Sequence, residues 1–412
     1  MIKMFIRIFI YIILTGYAVA NLTQTQADSF LKKFNNKSQS LEELFSKSFL
    51  NKVSINQLIY IRDDFNKKYG KYVKVRIDNG NKCKVYYEKA KFPSVMVFDS
   101  KGLISTLWFG APIQDNDNIE AIRKELMALQ GKVSLCLRKD GKEFFSMNKY
   151  SPMAVGSAFK LFILKALNSK LQAGKLQAGK LQAGKLHLYD TLIIDEIHKS
   201  LPSGILQSWQ SGDVLTVNTA SNLMISISDN TATDLLIDKI GREYIEKFAP
   251  SSMKPFYKTK EMFLLKLVKD SNYTKRFIKA DISTKRIELA KLDTMSLSEA
   301  NVYDFTSPRY LEIEWYVSTD ELCKTIEALR TMSQLSINAG LIDKKDWYYV
   351  GFKGGSEPGV LNYTYLLQKT KSSPVYSLSA SINARSDNVD KDSEFTLLIK
   401  RIIDIIEKGK KD

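Results

Sequence analysis

At 412 residues the chain has room for two or three domains, and 44% apolar residues with only nine prolines exclude a disordered polymer. A formal charge of +16 predicts a positive surface suited to anionic wall polymers or membrane headgroups; the basic residues are spread along the chain without an arginine-rich arm or an aromatic platform, so nucleic acid is not an expected partner. Two histidines, His187 and His198, and three cysteines, Cys83, Cys136 and Cys323, show no ligand spacing, which argues against a histidine-based triad, a metal site or a cofactor.

The N-terminus reads as an export signal over residues 1–20. Lys3 and Arg7 precede an apolar run at 8–14, and Ala18-Val19-Ala20 forms a cleavage site before Asn21. The run is shorter than the ~20 residues a membrane span needs, so the mature chain is expected to be exported, periplasmic or secreted. Residues 23–49 carry Phe30, Leu31, Phe34, Leu41, Leu44, Phe45 and Phe49 at helical spacing, and a second helix is predicted over 54–69. The period then changes to two. Strands are predicted at 72–77, 84–87, 95–98 and 103–109, making residues 21–117 a small α+β domain with a linker at 110–117.

A second domain, 118–412, opens with a helix to Leu129 and strands at 133–137 and 143–146 around an Asp140-Gly141 turn. Residues 152–246 read as mostly helical, and 247–302 as lysine-rich and helical in part. A helix is predicted at 322–332, strands at 347–353, 360–367 and 375–382, and a closing helix at 395–408. Strands at both ends of a helical middle imply one antiparallel sheet with helices on its faces. One segment, 170–186, holds three tandem copies of Lys-Leu-Gln-Ala-Gly. A five-residue step cannot keep Leu171, Leu176 and Leu181 on one stripe, so the insert is expected to protrude as frayed helix or loop.

Three motifs carry the chemistry. Ser157-Ala158-Phe159-Lys160 opens an apolar helix, where residues three apart share a face and a lysine amine lies within reach of a serine hydroxyl. Ser228-Asp229-Asn230 sits between two helices, where all three residue types also suit a helix cap. Lys353-Gly354-Gly355-Ser356 ends a predicted strand, where paired glycines let a substrate backbone lie close and the lysine anchors a carboxylate.

In order and spacing these resemble the Ser-x-x-Lys, Ser-Asp-Asn and Lys-Thr-Gly set of class A β-lactamases and penicillin-binding proteins. The flanks Tyr150-Ser151-Pro152-Met153-Ala154 and Thr231-Ala232-Thr233-Asp234-Leu235-Leu236 extend the resemblance, which spans about residues 119–408. It implies a β-lactamase/transpeptidase-like α+β domain, an antiparallel sheet flanked by helices plus a helical subdomain. The first domain resembles NTF2-like accessory domains.

By the same resemblance Ser157 is the acylated nucleophile, Lys160 its base and Ser228 a proton carrier. Asn230, Lys353, Gly355 and Ser356 bind substrate, and the N–H groups of Ser157 and Ser356 form the oxyanion hole. Gly354 departs from the hydroxyl residue of the family motif. The family's deacylating Glu-x-x-Leu-Asn segment has its nearest counterpart in Glu261-Met262-Phe263-Leu264-Leu265, which lacks the asparagine. The leading expectation is a serine hydrolase acting on β-lactams or related amides and esters. The alternatives are a D,D-peptidase acting on peptidoglycan stem peptides and a weakly catalytic wall-binding protein.

Overall fold

The computed structural model describes residues 21–110, 112–114, 117–175, 186–267, 271–295, 307–385 and 394–408. Residues 1–20, expected to be an export signal, and most of the Lys-Leu-Gln-Ala-Gly repeat lie outside the described residues. The chain divides into two compact units, Met1–Lys124 with Thr396–Asp412, and Glu125–Phe395.

The first unit begins with α1 (Gln24–Asn35), α2 (Lys47–Leu50) and α3 (Ile55–Tyr69). Capping boxes start two of them: Thr23 with Gln26 on α1 and Ser54 with Gln57 on α3 each satisfy two otherwise orphaned N–H groups. The single helical stretch expected over 23–49 is broken: α1 ends at Asn35, a 3-10 turn covers Glu42–Leu44, and Ser46 caps the separate start of α2. Strands β1 (Tyr72–Asn79), β2 (Lys82–Tyr87), β3 (Ala90–Phe98) and β4 (Ile104–Phe109) pair antiparallel in sequence order, with β5 (Ile113–Gln114) on β3. β3 starts five residues earlier than the sequence suggested (95 against 90). Its Pro93 is tolerated because the carbonyl, on the side a proline N–H would have occupied, faces Gly110 just past the end of β4. Phe30, Leu31, Phe34, Phe45 and Phe92 are buried together in this unit's core.

The chain then forms α4 (Ile119–Ala128), β6 (Lys132–Lys139), β7 (Lys142–Met147), β8 (Met153–Ala154) and α5 (Lys160–Lys175). The short strands β9 (Thr191–Ile193) and β10 (Val214–Thr216) lie inside the region read as helical. There follow α6 (Val217–Ser226), α7 (Asn230–Ile240), α8 (Arg242–Ile245), α9 (Thr259–Leu267), α10 (Ser271–Lys279) and α11 (Ile282–Leu292). The chain closes with β11 (Tyr316–Val317), α12 (Thr319–Ala328), β12 (Tyr349–Glu357), β13 (Val360–Gln368), β14 (Val375–Asn383) and α13 (Glu394–Lys408).

The second unit is α+β, as the sequence predicts. Its antiparallel sheet runs β12-β13-β14-β6-β7, which leaves β12 at an edge. α12 packs on β6, β13 and β14 and also on α5. β13 is buried along its whole length, so its polar residues pair internally: Asn362 donates to Ser381 Oγ at 2.8 Å and Thr364 donates to Asn362 Oδ1 at 2.9 Å. A helical core surrounds α5, with Phe159 stacked on Trp315 at 3.7 Å. The first repeat copy continues α5, and its Leu171 packs on that core, so this copy is not the protruding loop the sequence suggested.

Candidate active site

Ser157 lies in a tight turn, Gly156–Phe159, that runs directly into α5. Two glycines seat this turn against β12. Gly156 has φ +48°, and a Cβ there would stand 3.1 Å from the Ser356 nitrogen. A Cβ on Gly355 would overlap the Val155 carbonyl oxygen and lie 2.6 Å from the Ser157 nitrogen. Backbone therefore meets backbone, and the amide nitrogens of Ser157 and Ser356 flank one contact. Two main-chain donors placed in this way suit a developing oxyanion.

This corrects the sequence reading of the third motif. β12 does not end at Lys353 but continues through Glu357, because Lys353, Gly354, Gly355 and Ser356 all pair with β13 opposite Thr364, Tyr363, Asn362 and Leu361. The space left by Gly355 is filled by the turn carrying Ser157.

Lys160 is fully buried, and its amine is held by Ser228 O at 2.7 Å, Ser228 Oγ at 3.0 Å and Asn230 Oδ1 at 2.6 Å. Its hydrogen bonds thus go to the second motif and none to Ser157. Ser228 adopts a left-handed conformation, φ +61°, which is costly for a residue with a side chain. That backbone points its hydroxyl at two lysines, since Lys353 Nζ lies 3.2 Å from the same Oγ. Lys353 is nearly buried and also donates to the Gly354 carbonyl. Burial first, and then the charge of Lys353, hold the Lys160 amine well below the usual lysine range.

The motif's middle residue is a cap, as the sequence allowed. Asp229 Oδ1 accepts the Ala232 N–H at the start of α7, and Oδ2 accepts the N–H groups of Ile205 and Leu206 at 2.7 and 3.0 Å. Asn230 is buried, and its amide donates to the Leu201 carbonyl at 2.7 Å, which orients Oδ1 toward Lys160.

Sequence reasoning missed Asp234, one turn beyond Asn230. Its buried carboxylate accepts the N–H groups of Thr259 and Lys260 at 2.7 and 2.9 Å, anchoring the start of α9 beneath the site. Burial raises its pKa to about 6. The available signal was the placement of a carboxylate at i+4 from Asn230 on an apolar helix face.

Glu261 is on α9 and fully buried, but its oxygens face another way. One pairs with Arg242 and the other accepts the Lys258 N–H at 2.7 Å. Burial outweighs the arginine and raises its pKa to about 7. The structure therefore brings Lys160, Ser228, Asn230 and Lys353 into one cluster, sets Ser157, Gly355 and Ser356 at one backbone contact, and gives Glu261 separate partners. The partly exposed His198 is clasped between Asp195 at 2.6 Å and Asp238 at 2.7 Å, and both contacts raise its pKa. All three cysteines are buried free thiols. Among the described residues no group of His, Cys, Asp or Glu could hold a metal ion.

Residues 118–275 match the family model described as the Beta-lactamase enzyme family. The matched stretch carries Ser157, Lys160, Ser228, Asn230 and Glu261 and stops before β12. Among particular proteins, the chain is similar to a β-lactamase from Sphaerobacter thermophilus, at 18% identity over 70% of this chain and 96% of that one, with a TM-score of 0.48. PBP-A is similar at 15% identity, over 70% and 94%, with a TM-score of 0.45. A β-lactamase from Desulfarculus baarsii stands at 15%, over 70% and 97%, with a TM-score of 0.46. No curated protein matches the chain.

Proposed function

We propose that this chain is a β-lactamase-like serine hydrolase that forms an acyl-Ser157 intermediate with β-lactams or related amides and esters. The observation that carries this reading is a buried Lys160, lowered in pKa, sharing the Ser228 hydroxyl with Lys353. A neutral Lys160 amine takes the Ser157 proton as Oγ bonds to the carbonyl carbon. The resulting oxyanion accepts from the Ser157 and Ser356 N–H groups. The C–N bond then breaks as the proton passes from Lys160 through Ser228 to the leaving nitrogen. Lys353 attracts the substrate carboxylate, and water finally cleaves the Ser157 ester. The basic N-terminal apolar run supports export, and the helices and antiparallel sheet of the first unit support an NTF2-like accessory role.

One observation favours a second reading, a penicillin-binding D,D-peptidase. Both Glu261 oxygens are occupied by Arg242 and the Lys258 N–H, which leaves release of the acyl group without an evident base. Intact-mass analysis over time with a penicillin, a cephalosporin and a D-Ala-D-Ala peptide separates the two. Acylation of wild type and none of Ser157→Ala is expected, with a burst near one equivalent followed by slow release. Labelling of Ser157→Ala at the wild-type rate would refute the nucleophile, and fast linear turnover that collapses in Glu261→Gln would make Glu261 the deacylating base.

A further inference from the structure

Behind the nucleophile turn lies a cavity of about 420 Å³, within the size range of small-molecule sites and outside the site described above. Among the described residues its charged lining is Lys132 and Arg385, with no carboxylate beside them. Lys132 donates one bond to the Pro152 carbonyl at 3.1 Å, which leaves two of its three N–H donors for a ligand. Arg385 pairs with Glu312 at 3.0 Å, outside the lining, and both partners are exposed, so that pair is weak and exchangeable. Tyr316 and Leu311 supply an apolar wall. Such a lining suits a small organic anion with an apolar portion, either a carboxylate or a phosphate monoester.

Two adjacent residues of the lining tie this cavity to both halves of the oxyanion site. Asn383 ends β14, and its side chain clasps Ala154 on both sides, accepting its N–H at 2.9 Å and donating to its carbonyl at 2.8 Å. Ala154 stands three residues before Ser157 and pairs with Tyr316, another lining residue. The next residue, Ala384, donates its N–H to the Gly359 carbonyl at 2.8 Å, in the turn joining β12 to β13. Thus residue 383 holds the segment that delivers the Ser157 amide, and residue 384 holds the hairpin that delivers the Ser356 amide. A shift of this pair is thereby transmitted to both amide-bearing segments.

We propose that this cavity binds a small organic anion through Lys132 and Arg385, and that its occupancy adjusts the Ser157–Ser356 amide pair and with it acylation. The effect on acylation rests on the functional reading above, whereas binding and the amide response do not.

The test uses the full chain with two probes, N-acetylglycine for the carboxylate and glycerophosphate for the phosphate, followed by titration calorimetry. Saturable binding of one or both is expected, about tenfold weaker in a Lys132→Gln/Arg385→Gln double variant. The preferred probe tells the two sources apart, and the double variant separates this cavity from Lys353. Amide resonances of selectively labelled Ser157 and Ser356 should shift at saturation in wild type and not in the double variant. The rate of labelling by a fluorescent penicillin should change about threefold with them. No saturable binding of either probe, or binding unaltered in the double variant, would overturn the site. Binding without amide shifts would overturn the coupling. A protein that binds and shifts but never acylates would defeat the functional reading alone.

Discussion

Among single residues, Lys160 has the environment that matters most for chemistry. A lysine accepts a proton only when neutral, and at its ordinary pKa of about 10.4 almost none is neutral at pH 7. Burial and the charge of Lys353 lower that pKa, so the neutral form gains population at physiological pH. The acylation rate should rise with pH as Lys160 loses its proton and level off well below the ordinary lysine range. Removing the neighbouring charge with Lys353→Met returns the proton to Lys160 more readily and should move that limb to higher pH. Stopped-flow labelling between pH 5 and 10 measures the shift, and an unmoved limb would show that Lys353 does not tune Lys160. The Ser-x-x-Lys spacing was legible in the sequence. Its expected serine–lysine contact was not what the fold built, because the amine is drawn to Ser228 and Asn230.

Among elements, the decisive pair is the Ser157 turn and the edge strand β12. Their approach depends on Gly355, where a methyl group would meet the Val155 carbonyl oxygen and the Ser157 nitrogen. Gly355→Ala should push the turn off the strand and part the two amides. Loss of one oxyanion donor costs about a hundredfold or more in rate, and a comparable fall in acylation is expected. Circular dichroism and the melting temperature check that the fold persists. Wild-type acylation in a folded Gly355→Ala protein would remove Ser157 and Ser356 as the oxyanion pair. The sequence placed these glycines beside a strand lysine, but gave no sign that the space belonged to the chain itself. Val155 and Gly355 are two hundred positions apart, and only packing brings them together.

Across the whole molecule, the tandem repeat is the feature least tied to the site. The separation of 71 residues from Ser157 to Ser228 returns to 61 when ten residues, 175–184, are removed. The first copy remains to complete α5, where Leu171 packs on the core and Lys170 lies over the Tyr244 ring, and Leu186 is buried beyond the repeat. Excision of 175–184 should therefore leave the melting temperature within a few degrees and Ser157 labelling near wild type. A large loss of either would show that the second and third copies contribute to the second unit.

The order of the three motifs, the change of hydrophobic period from helix to strand and the helical middle between two groups of strands were determined by the sequence itself, because each is a local property of residue spacing. Pro93 and Ser46 show the limit of that locality: one strand runs through a proline beside the end of its neighbour, and a separate helix starts at a serine cap within a stretch of continuous helical spacing. What only the tertiary structure decided are contacts between distant segments. It paired Lys160 with Ser228, turned Glu261 toward Arg242, set Asp234 under α9 and clasped His198 between two aspartates. Spacing announces which residue types are available, but burial and the nearest opposite charge decide what each does. Those are properties of the packed chain, in which groups far apart in sequence share one low-dielectric interior.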